Sequence, residues 1–149
     1  MNCRRLGAKA NCSRSATGVA RLMGAVLVVA VLAGCATVTR DSSDEDKRKA
    51  AAERAAARWG LLIRDDPGAA YDEYMSKGSR QIIPRADFVD RMRVTQVRTA
   101  TVGDVECAAD SCKVSVGITY DHRLMKGVPN TLRENWVIED GQVWYVWPQ

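Results

Sequence analysis

The amino-acid sequence predicts an α+β fold in which N-terminal helices pack on a four-stranded antiparallel sheet. Three observations carry the prediction. Between Asp44 and Met92, apolar residues recur at helical spacing and are interrupted by helix-start signals. From Val94 onward the apolar period changes to two, the period of a strand. Near the end, Asp140-Gly141 separates two apolar runs, a strong hairpin signal. Helices that precede strands, rather than alternate with them, belong on one side of an antiparallel sheet.

The N-terminus has a different character. Positions 1–34 carry Arg4, Arg5, Lys9, Arg14 and Arg21 and no acidic side chain, so a net charge of +4 for the whole chain leaves −1 for positions 35–149. The basic balance therefore sits in the leader, and the remainder has no cationic excess with which to bind phosphates. A nucleic-acid partner is excluded on that ground. Residues 22–34, LMGAVLVVAVLAG, form an apolar run of 13. A membrane-spanning helix needs roughly 18–20 such residues, whereas the core of a signal peptide is this short.

The run closes on Leu32-Ala33-Gly34-Cys35. This tetrapeptide resembles the lipobox of bacterial lipoproteins, in which a cysteine follows two small residues and a leucine stands three positions before it. The resemblance implies that residues 1–34 are a removed leader and that the Cys35 thiol carries a diacylglyceryl group. It also implies cleavage after Gly34 and acylation of the new amine. Several acyl chains hold a protein on a bilayer firmly, at ~0.8 kcal/mol per buried methylene. The partner so implied is a membrane, reached through the lipid on Cys35. Ala36, where an aspartate would favour inner-membrane retention, implies the periplasmic face of the outer membrane, or the cell membrane if the source is not Gram-negative.

Residues 35–43 read as the lipidated cysteine and a short polar tether, and residues 44–149 as the domain. A helix over 44–64 begins with Asp44, Glu45 and Asp46, which complement the helix dipole. Its apolar stripe is Ala52, Ala55, Ala56, Trp59, Leu62 and Ile63. Asp66-Pro67 pairs an N-cap residue with proline at the first helical position and opens a second helix. That helix places Ala70, Tyr71 and Tyr74 inward and ends at Lys77-Gly78. Pro84 opens a third, over 85–92, with Phe88, Val89 and Met92 inward.

Strands are expected over 97–107, 112–124, 132–138 and 143–147, with KGVPN at 126–130 as a loop. In the second strand Val114, Val116, Ile118, Tyr120 and His122 alternate on one face. The last strand, apolar at every position, is expected to be covered on both faces. After export, Cys107 and Cys112 are an even pair in an oxidising compartment, facing each other across a short hairpin loop. A disulfide is expected there. The alternatives are a zinc site, which needs about four ligands where His122 is the sole histidine, and a redox pair, whose C-x-x-C spacing is not met. No metal or cofactor site is expected.

This order of elements, with RWGLLIRDDPGAAYDEYMS, PRADF and the tryptophan-rich final hairpin, resembles the NTF2-like superfamily. The resemblance covers roughly residues 47–149. It implies a curved sheet wrapped round the first helix into a cone, with a cavity between sheet and helices. Tyr120, His122, Glu134 and Trp136 are the expected pocket residues. Glu134 with His122 or a tyrosine would make an acid–base pair, as in the isomerases and dehydratases of that superfamily. The plainer reading, which we favour, pairs Glu134 with an arginine at the rim and leaves His122 solvated at a strand end. No catalytic residue is then assigned and no enzyme is expected. Trp136, Trp144, Tyr145 and Trp147 suit either a pocket lining or a core. The expected role is a non-enzymatic binding or envelope-assembly module, with a small apolar ligand-binding protein or an NTF2-like acid–base enzyme as the alternatives.

Overall fold

A computed structural model describes residues 37–149 other than Arg123. Residues 1–36, on which the expected leader, the lipobox-like tetrapeptide and the lipidation of Cys35 fall, lie outside the described residues. The chain runs α1 (Asp44–Ile63), α2 (Pro67–Tyr74), α3 (Lys77–Ile82), α4 (Arg85–Val94), β1 (Gln96–Ala108), β2 (Ser111–His122), β3 (Met125–Glu139) and β4 (Gln142–Val146). The strands form one antiparallel sheet in the order β1-β2-β3-β4. The architecture is α+β, as the sequence predicts.

Among the described residues four helices stand where three were expected. Helix α2 stops at Tyr74, and Ser76 starts a new helix by accepting a hydrogen bond on Oγ from the Ser79 amide. Ser76 N–H donates to the Tyr145 carbonyl of β4, so this break ties the helices to the sheet. The Asp66 cap forms as read, with Oδ1 accepting from the Ala69 amide.

In α1 the buried face is rotated from the predicted stripe. Ala51, Ala55, Arg58 and Trp59 are buried together with Lys47, whereas Ala56 and Ile63 are exposed. Two cations occupy inward positions because each finds an acceptor. Lys47 Nζ donates to the Arg40 carbonyl at 2.6 Å and Arg58 to the Glu134 carboxylate. A hydrophobicity pattern counts such residues as outward-facing and shifts the stripe accordingly.

The strand expected over 132–138 is more than twice that length, and the KGVPN segment lies inside β3. Pro129 sits opposite Thr119 of β2, while β4 covers only Asn135 to Glu139 of β3. On its β4 side β3 is therefore an open edge at Pro129, and the missing N–H costs no ladder bond there. At the Asp140-Gly141 turn both residues have positive φ, 51° and 76°, as a two-residue primed hairpin requires.

Most of the segment read as a tether is part of the domain. Val38 is 5% exposed and its N–H donates to the Gly141 carbonyl at 3.0 Å, while Thr37 lies against Gly141. Thr39 and Ser42 close a turn, and Ser43 caps α1. Burial of one valine and these capping bonds give the segment a reason to stay down.

Candidate functional site

The inner face of β2 sets the site. Along it, Val114 and Val116 are fully buried, Ile118 nearly so, Tyr120 half-buried and His122 exposed. The core thus opens progressively toward the end of β2. At that end a cleft of about 780 Å³ remains between α1, the end of α4 and the sheet. Trp59, Ile118 and Leu132 form its inner part, Leu62 and Met92 stand on the helical side, and Val97 and Tyr120 on the sheet side. Asp65, Arg93, Arg98, His122 and Asn130 ring the mouth. Such a space, apolar within and polar at the edge, has the size and character of a small-molecule site.

The mouth is also bordered by apolar side chains with no cover. Val94 is 84% exposed, Leu124 100% and Met125 58%, at the end of α4 and the β2–β3 turn. Arg98 Nε donates to Asp121 at 3.0 Å, and Asp121 Oδ1 accepts from the Gly127 amide at 3.0 Å. The Arg98 guanidinium, then the Gly127 amide, hold the Asp121 carboxyl below the usual carboxylate range. The two contacts pin the β2–β3 hairpin to β1 at the cleft's edge.

The four predicted pocket residues separate into two pairs. Tyr120 and His122 line the cleft. Glu134 and Trp136 do not; they lie in the core, 5% and 0% exposed. Glu134 Oε1 accepts from Arg58 Nη1 at 2.7 Å and from Trp59 Nε1 at 3.0 Å, and its Oε2 accepts from Trp136 Nε1 at 3.2 Å. The expected arginine partner therefore exists, but it is buried under α1 rather than at the rim. Glu134 stands opposite Val114, eight residues along β2 from His122, or ~26 Å at the usual strand rise. The two are not brought together. His122 ends exposed at the strand terminus, as the plainer reading has it.

Of the late aromatics, Tyr145 is buried beside Trp136, with ring centroids 5.6 Å apart, and Trp147 packs edge-on against Phe88 at 5.4 Å. They are core. The cleft is built instead from Trp59, Leu62, Met92 and Leu132, which read in sequence only as helix and strand interior. Nothing local in the sequence marks them, because the cleft arises where residues from α1, α4, β2 and β3 meet. Cys107 and Cys112 are joined, with Cα atoms 4.0 Å apart across the first hairpin.

No family model and no curated protein matches this chain. Solved structures do. A SEC-C motif containing protein from Rhodopseudomonas palustris superposes with a TM-score of 0.51 at 11% identity, covering 64% of this chain and 74% of the other. That likeness carries the fold alone. A structure described as a putative NTF2-like transpeptidase from Campylobacter jejuni gives 0.44 at 13% identity, covering 72% of this chain and 100% of that one. The de novo designed NTF2 fold protein NT-9 gives 0.39 at 14%, covering 68% and 82%.

Proposed function

We propose that the chain is a lipid-anchored, periplasm-facing envelope protein whose NTF2-like cone holds a small, largely apolar ligand and catalyses no reaction. The observation that carries this reading is the cleft of about 780 Å³ beyond Trp59, Ile118 and Leu132, which the protein's own side chains leave unfilled. The absence of chemistry is supported by the placement of Glu134, whose carboxylate is committed to Arg58 and two indoles. Among the described residues there is no cluster of three metal-ligating side chains, and no helix is long and apolar enough to cross a membrane. The anchor rests on Leu32-Ala33-Gly34-Cys35, and the outer membrane is its proposed destination.

Two experiments test the two halves separately. Cells expressing the full chain are fed labelled palmitate; incorporation into the wild type and its loss in Cys35→Ala support the anchor, and an unlabelled wild type overturns it. Residues 36–149, secreted to the periplasm, are then examined by native mass spectrometry and titrated with dodecanoate. Bound mass lost on denaturation, or a saturable change in fluorescence with Trp59 in the cleft, supports the ligand. No bound mass and no change up to about 1 mM, an affinity of only ~4 kcal/mol, overturns it.

A second reading is favoured by the uncovered Val94, Leu124 and Met125. An apolar patch at a cleft mouth is a place for a protein partner to dock. Under that reading the collar, rather than the cleft, is occupied, and Leu124→Asp releases an envelope partner without changing dodecanoate binding.

A further inference from the structure

The residues that follow Cys35 bear on which end of the domain meets the membrane. We propose that the end centred on Val38 and the Asp140-Gly141 turn is apposed to the phospholipid headgroups, so that the cleft opens away from the bilayer. This rests on the proposed lipidation of Cys35.

Val38 is held by its burial and by its bond to Gly141, near the start of the described residues. Only Ala36 and Thr37 separate it from Cys35. Three residue steps reach at most ~11 Å even when fully extended. The lipid-bearing cysteine therefore cannot lie farther than this from the hairpin end of the sheet. The predicted eight-residue tether would have left the domain free to turn over.

The cleft is at the opposite end. Strand β3 runs from the cleft residues Asn130 and Leu132 to Glu139 at the turn, and nine residues of strand span ~30 Å. Helix α1 makes the same traverse, from Ser43 beside the tether to Ile63 at the mouth. The β1–β2 turn also lies at the membrane end, because Ile138 N–H donates to the Asp110 carbonyl. The short linkage holds the anchor against one end, and the length of β3 then sets the cleft residue Asn130 ~30 Å along the strand from the Asp140-Gly141 turn, with the collar of Val94, Leu124 and Met125 farther still. Their ligand arrives from the aqueous side or from a periplasmic molecule, and not from the leaflet that holds the anchor.

Charge does not supply the apposition. The membrane end exposes Asp41, Asp44, Glu45, Asp46 and Asp110 around Arg40, while the exposed Lys77 there is paired with Asp140, and a predominantly acidic end is not drawn to anionic headgroups. The short linkage imposes the orientation, and repulsion is confined to roughly a Debye length of ~8 Å.

The test uses the full chain, processed in cells and extracted with its lipid, in nanodiscs of phosphatidylethanolamine carrying a few per cent of gadolinium-chelate lipid. The mass of the N-terminal peptide reports lipid on Cys35 beforehand, and an unlipidated peptide overturns both the anchor and this orientation. With lipid present, amide resonances of Asp110, Asp140 and Gly141 are expected to broaden at least five-fold more than those of Tyr120 and Asn130. Equal or reversed broadening overturns the orientation while leaving the anchor intact. A long, flexible glycine-serine insertion between Ala36 and Thr37 should abolish the gradient; a gradient that survives would show that a surface patch, and not the linkage, sets the orientation.

Discussion

Arg58 on α1 and Glu134 on β3 form an ion pair 2.7 Å long with both side chains essentially out of contact with water, 2% and 4% exposed. The guanidinium also lies 3.7 Å from the centroid of the Tyr145 ring. A charge pair in such a place is weak evidence of stability but strong evidence of dependence, since removing one member strands the other. Arg58→Met should destabilise the domain by about 3–5 kcal/mol in urea unfolding. Adding Glu134→Met should recover part of that loss. Recovery will be incomplete, because the Trp59 and Trp136 indole N–H groups then lose their acceptor, at about 1–3 kcal/mol each. Additive single-variant effects would show that the two residues do not act as a pair.

The disulfide joins residues five apart in sequence, across a hairpin that the sheet register already aligns, Cys107 opposite Cys112. Closing so short a loop removes little freedom from the unfolded chain, about 2 kcal/mol on the chain-entropy model. The Cys107→Ser and Cys112→Ser double variant should therefore fold, with its unfolding free energy lowered by about that amount in urea denaturation. Failure to fold at all would mean that the bond fixes the β1–β2 register.

Between those cysteines, Ala109 has φ of +50°. A Cβ in the left-handed region crowds the following carbonyl, a cost that glycine does not have. Ala109→Gly should raise stability by ~1 kcal/mol, read as a higher urea midpoint at unchanged slope. A lower midpoint would indicate that the lost restriction of the unfolded chain outweighs the relieved strain.

The helix caps, the period-two strands, the Asp140-Gly141 turn and the cysteine pair are legible in the sequence because each depends on neighbours within a few residues. Local chemistry does not tell where Glu134 goes. Its partner is 76 positions away, and a glutamate between Leu132 and Trp136 suits a pocket rim and a buried ion pair equally well. The same limit rotates the α1 stripe, since Lys47 and Arg58 are inward only because acceptors from other segments meet them. Pro129 and Gly127 read as a loop because their strand partners lie on one side only. Tyr120 and His122 are legible as residues of one strand face because alternation along β2 is local, and burial along that face falls toward the end of β2. Val38 is not, because one valine among polar residues carries no periodicity.

Burial pushes the Tyr145 phenol up to about 12, with Arg58 opposing and Glu134 reinforcing the shift. The unfolded chain releases this proton near pH 10, the ordinary value for tyrosine. Below pH 10 both states hold the proton and stability is unaffected. Between pH 10 and about 12 the unfolded state binds fewer protons than the folded one, so stability falls as pH rises. Two pH units correspond to ~3 kcal/mol. Tyr145→Phe removes this one term and leaves the other alkaline groups in place. The stability difference between wild type and variant should be flat up to pH 10 and then move in the variant's favour by up to ~3 kcal/mol. Urea midpoints measured in parallel from pH 8 to 12 check this, and a constant difference across that range would mean that the phenol reaches water before the domain unfolds.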